Sequence, residues 1–108
     1  MYTNCDEIFK VTIPAVRIAV AKSLNKKYKM NQSDIAKQLG TTQAAISKYF
    51  GGDYSDKIAK VEKIVAKEKA LKEIITMIIS KKDKKSVTQS IDRLASSGYL
   101  VKETLKII

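Results

Sequence analysis

Gln43, Ala44, Ser47 and Lys48 fall at positions i, i+1, i+4 and i+5, a spacing that gathers them on one side of an α-helix. Together these side chains suit one kind of chemistry, the recognition of base edges. A Gln amide bonds bidentately to adenine N6 and N7, a Ser hydroxyl donates to or accepts from several bases, and an Ala methyl packs on a thymine methyl. Lys48 is a point charge better matched to a phosphate, and Thr42 brings a hydroxyl just upstream. Catalysis has far less to work with. The chain holds no histidine, no nucleophile beside a recognisable base, no glycine-rich phosphate loop and no convincing carboxylate pair, so neither a catalytic residue nor an enzyme is expected.

Those residues need a rigid support, and the surrounding sequence supplies one. Gln32 to Gly52, QSDIAKQLGTTQAAISKYFGG, predicts two short helices joined by a tight turn. Asn31 is a good N-cap for the first, whose apolar residues Ile35, Ala36 and Leu39 share a face. Gly40 ends it, since the chain must leave through positive φ, where a Cβ is penalised. Thr41 or Thr42 then caps the second helix, about residues 42–50, with Ala45, Ile46, Tyr49 and Phe50 facing inward. Ala36 is small where two helices joined so closely must cross. The first turn of the earlier helix, at Gln32, Ser33 and Asp34, offers unpaired N–H groups to a backbone phosphate, with the Asp34 charge opposing. The pattern predicts a DNA-binding helix-turn-helix; a helical hairpin that merely packs in a core is the competing reading.

The segment resembles the helix-turn-helix of the lambda and Cro repressor class, also called the Xre class. In that class a Gln opening the second helix often braces a Gln opening the third, and Gln32 and Gln43 stand at the matching places. KYFGG, Lys48 to Gly52, is similar to the end of the recognition helix in those repressors. The stretch from Cys5 to Ser47 resembles more closely still a group of small archaeal predicted transcriptional regulators, whose first helix has a similar start, matched here by Pro14, Ala15 and Arg17. The likeness covers the first half of the chain well and the second half weakly. Thr41 departs from it, because the class usually has an aliphatic residue in the turn. The resemblance implies double-stranded DNA as partner and a homodimer on a two-fold operator.

Composition agrees with a small regulator. Of 108 residues, 21 are Lys or Arg and 11 Asp or Glu, a formal charge of +10. That sign favours a polyanion, although charge alone is weak support, because surface lysines commonly serve solubility. Cys5 is the only cysteine. It excludes an intramolecular disulfide, and with no histidine it leaves a metal or iron-sulfur site improbable, so no metal and no cofactor is expected; a half-buried thiol is the simplest role for it. The longest apolar run, Ile74 to Ile79 with Thr76 inside it, is too short to span a bilayer, and the first residues lack a signal-peptide pattern. The expectation is a cytoplasmic, nucleoid-associated protein with no membrane partner.

Around the motif the sequence predicts an all-α chain: a helix-turn-helix core of four to five helices over residues 1–66 and a helical extension over 67–108 that mediates dimerisation. Asp6 to Phe9 is expected to be a short strand or turn, with Pro14 in the first turn of a helix running to about Tyr28. That helix shows an apolar face of Ile13, Val16, Val20 and Leu24, with Ile18 and Ala21 flanking. Its opposite side carries Arg17, Lys22, Lys26, Lys27 and Lys29, and Arg17 is a further candidate for phosphate. Ser55 caps a long helical stretch from Asp56 to about Lys81, with a break expected at Lys67 to Lys69. KKDKK, Lys81 to Lys85, is the candidate linker, and Ser86 to Ala95 another amphipathic helix. The last ten residues fit a strand followed by a tail, residues 86–103 have the look of a winged-helix recognition helix entering a wing, and one more short helix, used for dimerisation, is preferred. Competing functions are an antitoxin-like or adaptor protein acting through its C-terminal surface, and an architectural DNA binder without sequence preference.

Overall fold

The computed structural model describes residues 5–81 and 83–108, and within them the chain is helical throughout, with no strand. Seven helices follow one another: α1 (Cys5–Tyr28), α2 (Gln32–Leu39), α3 (Gln43–Gly51), α4 (Asp56–Val65), α5 (Lys69–Ile79), α6 (Lys84–Ala95) and α7 (Gly98–Ile107). The last ten residues therefore extend a helix, which removes the strand and wing alternative. The expectation for the Cys5 thiol concerns a side chain outside the described set, as does Lys82 of the candidate linker.

α1 is the axis of the molecule, about 36 Å long at 1.5 Å per residue, and every other helix packs against it. Its sequence explains why. Ala15, Val16, Ile18, Ala19, Val20, Ala21 and Leu24 are all buried, so apolar residues go around the helix rather than along one face. The three alanines let neighbours approach closely. The expected face is buried at Val16, Val20 and Leu24 and at the flanking Ile18 and Ala21, Ile13 is only half-buried, and burial extends further round the helix to Ala15 and Ala19. Periodicity finds a single stripe only when a helix has a wet side.

The start of α1 is a correction. Asp6 to Phe9 is helical, and Pro14 lies well inside the helix instead of in its first turn. Pro14 lacks the N–H that would bond the Lys10 carbonyl. Lys10 is exposed, so water can satisfy the freed oxygen, and Asp6 and Glu7 favour the helix start through the dipole. At the other end Lys29 takes a left-handed φ of 53°, and the Met30 N–H reaches back to the Leu24 carbonyl at 3.2 Å.

Side-chain caps set most of the remaining boundaries. Ser55 Oγ accepts from the Ile58 N–H at 3.3 Å and starts α4. The break anticipated near Lys67 is present between Val65 and Lys69. The candidate linker is shorter than the charge run implied: Asp83 caps α6 by accepting from the N–H and the hydroxyl of Ser86, so Lys84 and Lys85 are already helical. Ser97 likewise caps α7 through the Leu100 N–H. One apolar core joins all seven helices, from Val16, Ile35 and Ile46 to Val61, Ile74, Val87 and Leu100.

Candidate nucleic-acid interface

α2 and α3 are built by local signals. Asn31 Oδ1 accepts from the Asp34 N–H at 2.8 Å, and Thr42, not Thr41, caps α3 by accepting from the Ala45 N–H at 3.2 Å. Gly40 and Gly52 end the two helices in the left-handed region, with φ of 64° and 74°. Each is followed by a backbone bond back into its helix: the Thr41 N–H to the Ala36 carbonyl at 2.9 Å, and the Asp53 N–H to the Lys48 carbonyl at 3.0 Å. This 6→1 closure satisfies carbonyls that a helix end leaves open.

The two helices are anchored unequally. Ile35, Ala36 and Leu39 of α2 are buried, whereas Ile46 alone is fully buried in α3, with Ala45, Tyr49 and Phe50 half-buried around it. α3 rests on α2 and α1, and its other side is left open. Thr42, Gln43, Ala44, Ser47 and Lys48 are all exposed. Apart from the cap made by Thr42, their side chains make no hydrogen bond within the described residues, so their donors and acceptors remain available.

The other predicted residues fare differently. Gln32 opens α2 half-buried and Ser33 beside it is exposed. Gln32 and Gln43 each occupy the first helical position, but no hydrogen bond joins them. Arg17, the further candidate for phosphate, is half-buried, and its Nε is enclosed without a partner among the described residues.

Sequence reasoning missed the contact that fixes the exit of α3. Lys22 Nζ donates to Tyr54 Oη at 2.8 Å and pairs with Glu62 at 3.1 Å, while Tyr54 Oη donates to Glu62 Oε1 at 2.8 Å. The ammonium also lies 5.5 Å from the Tyr54 ring centroid. Burial works to lower the Lys22 pKa, but the hydrogen bonds to Tyr54 and Glu62, with their charges, outweigh it and hold the value above the ordinary 10.5. This triangle ties α1, the turn after Gly52 and α4 together. Lys22 is thus withdrawn from the free basic side of α1 to which its spacing assigned it. No local pattern signals a contact between residues 40 positions apart.

No family model, curated protein or solved structure matches this chain. Among the described residues, no group of three or more His, Cys, Asp or Glu is placed to hold a metal ion, and no helix is long and apolar enough to cross a membrane.

Proposed function

We propose that this chain is a sequence-specific DNA-binding transcriptional regulator in which α2 and α3 act as a helix-turn-helix and α3 enters the major groove. The observation that carries this reading is the exposed face of α3, where Gln43, Ala44, Ser47 and Lys48 stand clear on a helix held from behind by Ile46 and capped at both ends. A major groove about 12 Å wide admits an α-helix, and short, uncharged side chains bring it close enough to touch base edges. Gln43, Ala44 and Ser47 face bases in this reading. Lys48, Thr42, Ser33 and Gln32 hold phosphate, the last two at the positive end of α2.

The resemblance to lambda and Cro repressors supports the same arrangement, as does the charge of +10. A homodimer on a two-fold operator follows from that likeness, and the exposed Tyr99, Leu105 and Ile108 at the C-terminal end offer it apolar surface. The proposed setting is cytoplasmic and nucleoid-associated, without enzymatic activity.

Selection of bound fragments from random duplex DNA tests the proposal, since site symmetry also reports subunit arrangement. On the selected site, Gln43→Ala should cost about 1–3 kcal/mol and relax choice at one base pair. Lys48→Ala should weaken all sequences alike and reduce the salt slope by about 0.9. Failure to enrich any sequence, with both variants binding as wild type, would refute the reading.

A further inference from the structure

Outside the α2–α3 face, α4 carries an unusual charge pattern. It turns Ile58, Val61 and Val65 toward the core, and Lys57, Lys60 and Lys63 away from it, continued by Lys67 in the following turn. Steps of three residues carry Lys57, Lys60 and Lys63 along about 9 Å of the helix, and Lys67 follows beyond its end. All four are exposed, and none forms an ion pair among the described residues: Glu62 of the same helix is engaged by Lys22, while Asp56 in the first turn and Glu68 beyond Lys67 are the acids that flank the row.

Like charges at this spacing weaken a helix by about 0.2–0.5 kcal/mol per pair. Solubility alone would be served as well by alternating signs. The far end of the stripe meets α7 at a depression lined by Lys63, Ile64, Lys67, Glu68 and Tyr99, whose ring is 56% exposed. A duplex presents one phosphate per strand for about each 3.4 Å of axis, so a row of cations of this extent faces several phosphates of one strand.

We infer that the outer face of α4 is a second, sequence-independent contact for the sugar–phosphate backbone of duplex DNA, additional to the groove contact of α3. The inference rests on the duplex-DNA reading above, though not on its sequence specificity. Four neutralised phosphates contribute about 3–4 to the slope of log K against log salt.

The test compares two purified full-length variants of equal charge on a mixed-sequence duplex titrated over a range of salt. One is K57Q/K60Q/K63Q/K67Q. The other, K72Q/K84Q/K85Q/K102Q, removes equally exposed cations from α5, α6 and α7. Circular dichroism and urea midpoints establish that both are folded. The inference expects the α4 variant to lose about 3 units of slope and the control less than about 1. Equal losses in both, or an unchanged slope in the α4 variant, would overturn it. Retained preference for the selected site with an unchanged slope would remove this contact and leave the proposed function standing. Loss of slope in a chain without sequence preference would do the reverse.

Discussion

Lys22 illustrates how one side chain acquires its role from distant neighbours. Its ammonium is shared between a hydroxyl and a carboxylate, yet 42% of the side chain remains exposed against 14% for Glu62. Solvent screening therefore limits the ion pair to about 0.5–1 kcal/mol. The hydroxyl of Tyr54 accepts from Lys22 and donates to Glu62, so Tyr54→Phe breaks both bonds and should destabilise the chain by about 1 kcal/mol in urea unfolding. Because the folded pKa of Lys22 is raised, its contribution is fully present below the ordinary 10.5 and lost as pH rises through the folded value. The stability difference between wild type and Lys22→Met should accordingly be constant from pH 6 to 9 and shrink above about pH 10.5. A difference that grew with pH would show that the triangle is not held by the ammonium charge.

At the scale of elements, helix ends were the most legible feature of the sequence. Asn31, Gly40, Thr42 and Ser55 act where their types predicted, because caps and left-handed turns are decided within about four residues. The glycines permit a sharp check. A Cβ on Gly40 would meet nothing within 4 Å, so its only obstacle is φ of 64°. Gly40→Ala should destabilise by about 1 kcal/mol, and Gly40→Asn by less. Gly98 also has open space around it, but it opens α7 without positive φ. Gly98→Ala should therefore stabilise by about 0.4–1 kcal/mol, measured as a rise in the urea midpoint. α1 was the element least legible. Pro14 signalled a helix start, and only the exposure of Lys10 explains why the helix passes through it.

Across the whole molecule, the decisive fact is the continuity of the core. Leu100 of α7 is fully buried in the same cluster as Ile35 and Ile46 of the α2–α3 pair. Leu100→Ala should cost about 2–5 kcal/mol, and unfolding should remain one transition, with the near-ultraviolet tyrosine signal lost together with helicity. If residues 1–66 fold alone, as a division there would require, that fragment should melt cooperatively, and in the full chain Leu100→Ala should split unfolding into two transitions. The folded chain measures 43 × 26 × 21 Å; α5, α6 and α7 lie against α1, with α7 also on α4 and α6 also on α2, and the outer face of α3 stays exposed.

The sequence by itself determined the helical class, the ends of α2 and α3, the start of α4, and the outward set Gln43, Ala44, Ser47 and Lys48. Each follows from spacing or capping chemistry that acts over a few residues. Tertiary structure alone decided that α1 is enclosed on nearly all sides, that Lys22 is tied to Tyr54 and Glu62, that Arg17 lies folded against the protein, and that the C-terminal helices complete the core. Those outcomes depend on contacts between segments far apart in the chain. Only the packing of α4, α5, α6 and α7 around α1 fixes which of its polar residues remain in water.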